Sequence, residues 1–126
     1  MADKKRVLVV EDDMFLRELC MVKLEKSGYQ VDAAPDGQTG VDYLTSREYD
    51  VVLLDIMLPE KDGFEVLEEY SKSKKEGKQP QIIMLTNLSE KEQVDKALKM
   101  GATDYIIKAH YSPTEIVTKV NELLGQ

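Results

Sequence analysis

The sequence predicts an α/β fold, a five-stranded parallel sheet with helices on both faces, built as one domain over residues 1–126. Three observations carry this. Short β-rich apolar runs alternate with segments of helical spacing from one end of the chain to the other. Three of those runs are apolar almost throughout, as strands covered on both faces are. The chain has 126 residues, 42% hydrophobic and 33% charged, with 7 Gly and 4 Pro, which is the size and composition of one globular domain rather than of a disordered or fibrous chain.

The elements follow in order. The first strand is predicted at 7–10 (VLVV). A helix follows in which Leu16, Leu19, Cys20 and Leu24 repeat at i, i+3, i+4 and i+8, with Gly28 where a C-terminal cap belongs. A weaker strand lies at 30–34 (QVDAA), and Val41 and Leu44 mark a short second helix. The third strand is 51–54 (VVLL), and Val66, Leu67 and Tyr70 mark the third helix. The fourth strand is 82–85 (IIML). Ser89-Glu90-Lys91-Glu92 is a capping box for a fourth helix, with Val94, Ala97 and Leu98 on its inner face and a stop at Gly101. The fifth strand is 105–107 (YII). Ser112-Pro113-Thr114-Glu115 is a second capping box, with proline at the first helical position, and the fifth helix carries Ile116, Val120, Leu123 and Leu124. Polar Gln30 and Asp32 mark the second strand as an edge, and the short fifth is the other. Right-handed crossovers then favour the strand order 2-1-3-4-5, the flavodoxin-like arrangement.

Composition narrows the function. Seventeen basic and 24 acidic residues give a net charge of −7, which disfavours nucleic acid, because that affinity comes from neutralising phosphates with Lys and Arg. The one cysteine, Cys20, can build neither an internal disulfide nor a cysteine zinc site. No apolar run approaches the ~20 residues of a membrane span, and the first residues do not form a signal peptide. A cytoplasmic location is expected.

In sheets of this kind ligands bind beyond the carboxyl ends of the strands, at the switch point between strands one and three. Each central strand delivers a polar residue there. Glu11, Asp12 and Asp13 follow strand one, Asp55 follows strand three, Thr86 strand four and Lys108 strand five. Asp13 also falls where the first helix needs its cap. Carboxylates ~4 Å apart repel by about 4 kcal/mol per pair at an effective dielectric near 20, so a fold keeps such a cluster when a cation neutralises it or one member is protonated. With oxygen donors and no His or Cys nearby, the expected cation is hard: Mg²⁺ first, then Mn²⁺ or Ca²⁺. A lysine and a threonine facing the same place suit an anion. Together these groups describe a phosphoryl-transfer site.

The segments VLVVEDD, VVLLDIMLPEKDG, IIMLT and GATDYIIK, in this order and spacing, resemble the receiver domain of two-component response regulators, over essentially the whole chain. The resemblance implies that Asp55 accepts a phosphoryl group from a histidine kinase or a histidine phosphotransfer protein. It implies that Asp12 ligates Mg²⁺ directly, with Glu11 acting through water and the carbonyl of Met57 as a further ligand. Lys108 then pairs with the acceptor and with the phosphoryl oxygens. Thr86 and Tyr105 form the switch, and Pro59 and Gly63 shape the loop after the acceptor. The product is an aspartyl phosphate that controls binding of a downstream protein target, with no direct contact to nucleic acid or membrane, in a monomer or weak dimer. Met14 and Phe15, large apolar residues outside the core spacing of the first helix, are expected in the kinase-docking surface.

The chain departs from the family pattern at Asn87, where a small residue is usual, and at Ala109, where proline is usual. Without that proline the Lys108–Ala109 peptide is expected trans. Met57 and Leu88 are both apolar, so a hydrolytic water would be poorly held and the phosphorylated form long-lived. A stand-alone receiver is the expected organisation. A transcription regulator lacking its DNA-binding half is the alternative of a different class. An aspartyl-phosphate phosphatase would need a second Asp at position 57, where Met57 stands. A flavin site would need a Ser/Thr/Gly phosphate loop after strand one, where three acids stand instead.

Overall fold

The computed structural model describes residues 4–73, 76–87 and 91–125. Five strands, β1 (Arg6–Val10), β2 (Gln30–Ala34), β3 (Val51–Asp55), β4 (Gln81–Thr86) and β5 (Asp104–Ile107), alternate with five helices. These are α1 (Met14–Lys26), α2 (Gly37–Ser46), α3 (Gly63–Lys72), α4 (Lys91–Lys99) and α5 (Pro113–Leu123), with a single 3₁₀ turn at Lys108–His110 before the last. The sheet is parallel and ordered β2-β1-β3-β4-β5, as the sequence predicts. Among the described residues each strand is followed by a helix, and a parallel pair needs such a crossover to return to the starting edge.

Side chains alternate across the strands, and the two faces build two cores. Val7, Val9, Val51, Leu53, Ile83, Leu85 and Ile106 meet Cys20 and Leu24 of α1 and Ile116, Val117 and Val120 of α5. On the other face Leu8, Val10, Val52, Leu54, Ile82 and Met84 meet Val41 and Leu44 of α2, Val66 and Leu67 of α3, and Ala97 of α4. Burying one Leu or Val side chain of this kind contributes roughly 1.5–3 kcal/mol.

Helix starts are fixed by side-chain caps. Asp13 accepts from the Leu16 N–H and Asp36 from the Thr39 N–H, while Ser112 and Glu115 form the expected reciprocal box. Asp62 and Glu65 form a further box at α3. Of the box expected at Ser89-Glu90-Lys91-Glu92, Ser89 and Glu90 lie outside the described residues, as does Leu88. Gly28 follows α1 with φ +97° and Gly101 follows α4 with φ +111°, the left-handed backbone that glycine adopts at little cost.

Two core expectations are corrected. Leu19 is 44% exposed and Leu98 39% exposed. The buried line of α1 runs through Cys20 and Leu24, with Leu16 half-buried against it. At about 100° per residue, Leu19 is turned away from Cys20 and stands on the outer surface with Phe15 and Val22. In α4 the buried positions are Val94 and Ala97, and Leu98 is rotated past them.

Candidate functional site

Strand register brings the site together. Val10 lies beside Leu54, Asp55 beside Leu85 and Thr86 beside Ile107, so Glu11, Asp55, Thr86 and Lys108 all fall at the carboxyl edge. Pleat parity then sorts them. Glu11 and Asp55 continue the α1/α5 face of Val7, Val9, Val51 and Leu53, and Lys108 continues that of Ile106. Those three side chains converge. The Lys108 Nζ lies 2.7 Å from Asp55 Oδ2 and also contacts Glu11 Oε1. Thr86, of opposite parity, is buried at the end of β4.

The carboxylates are held from behind. The Met57 N–H donates to Asp55 Oδ1 at 3.2 Å, and the Asp13 N–H donates to Glu11 Oε2 at 3.0 Å. Glu11 is wholly buried. Burial, assisted by the nearby Asp55 charge, pushes its carboxyl up to about 7 against the pull of Lys108 and the Asp13 N–H. Burial alone would push the Lys108 ammonium down; its hydrogen bonds to Asp55 and Glu11 reverse this and leave it raised. The Cys20 thiol, buried beneath the site, is pushed up to about 11 by burial and the Glu11 charge, and is inert at neutral pH.

Glycine is required where α3 starts. A Cβ on Gly63 would lie 2.5 Å from the Asp55 carbonyl oxygen, and the Gly63 N–H donates to the Ile56 carbonyl at 2.8 Å. Gly37 plays the matching part at α2. Its N–H donates to the Pro59 carbonyl at 3.2 Å, and a Cβ there would lie 1.8 Å from the Lys61 carbonyl oxygen. The β3–α3 loop, with Glu60 in left-handed backbone at φ +68°, is thus wedged between two helix starts.

Glu11, Asp12 and Asp55 each offer a carboxylate oxygen, all within 4.8 Å of one another. Oxygens on opposite sides of a Mg²⁺ ion stand about 4.2 Å apart at ligand distances near 2.1 Å, so the cluster fits a small divalent cation with little movement. With all three carboxylates ionised, the cluster and Lys108 together carry a formal charge of −2, which a divalent cation balances.

Met57, two residues past the acceptor, is 65% exposed, and Tyr105 is 38% exposed on β5 beside Lys91, Asp95 and Leu98. Met14 and Phe15 stand out at the start of α1, 58% and 77% exposed. His110 is exposed on the turn after β5. No peptide bond among the described residues is cis, so Lys108–Ala109 is trans. Arg17 was not anticipated: its Nη1 donates to the carbonyls of Glu11 at 2.8 Å and Asp12 at 3.3 Å.

Fold and site together define a doubly wound α/β domain with a lysine-compensated acidic centre at the switch point of its sheet. The chain belongs to the response regulator receiver domain family, whose model matches residues 7–121. Members are regulatory phospho-acceptors of two-component systems and generally bind Mg²⁺ in an acidic pocket. The chain is 35% identical over 122 residues to the transcriptional regulatory protein ResD of Bacillus subtilis, covering 97% of this chain and 49% of ResD. It is 36% identical over 118 residues to SrrA of Staphylococcus aureus, covering 94% and 47%. It therefore spans about half the length of these curated relatives. Among solved structures, a CheY-like receiver domain protein from Methanospirillum hungatei superposes with a TM-score of 0.87 at 30% identity, covering 98% of this chain and 95% of that one. A Francisella response regulator receiver domain gives 0.85 at 30%, covering 97% and 98%. No helix among the described residues is long and apolar enough to cross a membrane.

Proposed function

We propose that residues 1–126 act as one cytoplasmic receiver unit that takes a phosphoryl group onto Asp55 from a histidine kinase or a histidine phosphotransfer protein. The observation that carries this reading is the grip of Lys108 on both Asp55 and Glu11, with Asp12 beside them. Asp55 attacks phosphorus, the new O–P bond forms as the P–N bond to the donor imidazole breaks, and the imidazole leaves. Phosphoryl transfer has a loose transition state with charge spread over three oxygens, so the protein's work is alignment and positive charge. The Met57 N–H holds the Asp55 carboxylate in one orientation. In this reading Lys108, paired with Asp55 and Glu11 before transfer, passes to the phosphoryl oxygens afterwards. Glu11, Asp12, Asp55 and the Met57 carbonyl would hold Mg²⁺, which when bound offsets the repulsion between an anionic acceptor and an anionic donor.

The switch in this reading is Thr86, buried at the edge of the site, and Tyr105, half-open on the neighbouring strand, which together change the surface offered to a downstream protein. Met14 and Phe15 form part of the donor-docking surface, since they are large, apolar, exposed and adjacent to the acidic loop. The test is transfer from a phosphorylated histidine phosphotransfer protein. Label should reach this chain with Mg²⁺ and be abolished by a chelator, and Phe15→Ala should slow this transfer about tenfold more than labelling by acetyl phosphate. Transfer at full rate in chelator removes the Mg²⁺ reading; equal slowing with both donors removes docking at Phe15.

A further inference from the structure

We propose that Arg17 is a positioning residue for the acidic centre, its guanidinium fixing the backbone of Glu11 and Asp12 and so setting the affinity for the divalent cation. The inference rests on the reading of Glu11, Asp12 and Asp55 as a cation site. Three successive carbonyls of the acidic loop accept hydrogen bonds from this one residue. Nη1 donates to Glu11 O at 2.8 Å and to Asp12 O at 3.3 Å, and the Arg17 backbone N–H donates to Asp13 O at 2.9 Å.

The loop needs such a hold because its two acids are supported unequally. Glu11 is wholly buried, its N–H bonded to the Ala34 carbonyl at 3.0 Å and its side chain to Lys108 and the Asp13 N–H. Asp12 is exposed, so packing does not aim its carboxylate; its backbone does. Arg17 makes no ion pair among the described residues, and its Nη1 is spent on two carbonyls. As a charge, Arg17 opposes a cation bound nearby. As a clamp, it favours one by holding two donor residues in register before the cation arrives. Loss of groups that orient metal ligands typically weakens affinity 10–100-fold. Here the grip is on ligand backbones, which places the expected effect at the lower end.

Charge and geometry separate with two variants. Arg17→Met removes both, whereas Arg17→Lys keeps the charge but replaces the rigid fork with a point donor on a flexible stem. Mg²⁺ affinity is read by calorimetric titration of the full chain, and metal-free stability by urea unfolding. The expected result is a roughly tenfold weaker Mg²⁺ affinity in Arg17→Met and a loss nearly as large in Arg17→Lys, both proteins being folded before titration. Unchanged or tighter binding in the two variants overturns the inference, and so does a loss of stability with affinity intact, which marks a purely structural clamp. A parent protein that binds no Mg²⁺ overturns the cation-site reading and this inference with it; a parent that binds while the variants match it overturns this inference alone.

Discussion

Replacing Lys108 with Met leaves two inward carboxylates facing each other without their shared ammonium. At 2.7 Å from Asp55, one such pair is attracted by about 6 kcal/mol at an effective dielectric of 20. Much of that offsets the cost of burying the ammonium itself, so the net loss on breaking a buried pair is about 3–5 kcal/mol. Glu11 limits the damage. Its carboxyl, already lifted to about 7 by burial, takes up a proton near neutral pH once Lys108 is gone, which puts the expected loss near 3 kcal/mol. For a chain of 126 residues this corresponds to a Tm lower by about 10 °C. Thermal unfolding followed by circular dichroism in a chelator measures it directly. Millimolar Mg²⁺ should recover more than half of the deficit by supplying the missing charge, and Asp55→Asn added to Lys108→Met should recover part of it without metal. A variant melting within about 2 °C of its parent in chelator, where ~3 kcal/mol is expected, would refute the idea that Lys108 holds the carboxylates.

Gly37→Ala drives a methyl into the Lys61 carbonyl, 1.8 Å from the added atom, and should cost about 2–3 kcal/mol in urea unfolding despite alanine's better helix propensity; equal or higher stability would show the β3–α3 loop to be free to move. Asp32→Asn tests the edge of the sheet. Burial pushes the Asp32 carboxyl up, but the Tyr49 hydroxyl at 2.6 Å, Arg47 at 3.0 Å and Arg6 at 3.6 Å outweigh it and hold it below its ordinary 3.8. A lowered carboxyl stabilises above its unfolded value and loses that stabilisation as pH falls through its folded value. The variant should therefore be about 1–2 kcal/mol weaker at neutral pH, with the gap closing below about pH 4; a gap that persists in acid would contradict the assignment. Met57→Asn puts a hydrogen-bonding side chain two residues past the acceptor and should shorten the life of the phosphorylated form several-fold, the ~1 kcal/mol that one bond to an attacking water supplies; an unchanged decay rate would show that the side chain at this position does not hold the water.

β1, β3 and β4 were legible because burial on both faces leaves an uninterrupted apolar run, and the convergence of Glu11, Asp12, Asp55 and Lys108 followed from reading the residues at the carboxyl end of each strand. Ser112–Glu115 was legible as a helix start because its two capping bonds need specific side chains at fixed spacing. Leu19 and Leu98 were misplaced for a reason that periodicity shares with every helix: spacing identifies a stripe, but its covered width depends on where neighbouring elements sit. The contacts of Gly37 with Pro59 and Lys61 are backbone against backbone, and no side-chain pattern announces them. Arg17 escaped for a related reason. Side-chain spacing does not say which carbonyls an arginine early in a helix meets, and only the three-dimensional arrangement shows its Nη1 directed at those of Glu11 and Asp12.

The central claim is that Asp55 is the phosphoryl acceptor of a Mg²⁺-dependent receiver, and intact-mass measurement after incubation with Mg²⁺ and acetyl phosphate tests it most directly. The account predicts a single phosphoryl adduct approaching one per chain, lost in chelator and absent from Asp55→Asn. A phosphoryl adduct formed at full yield by Asp55→Asn, or by the parent without any divalent cation, would contradict it.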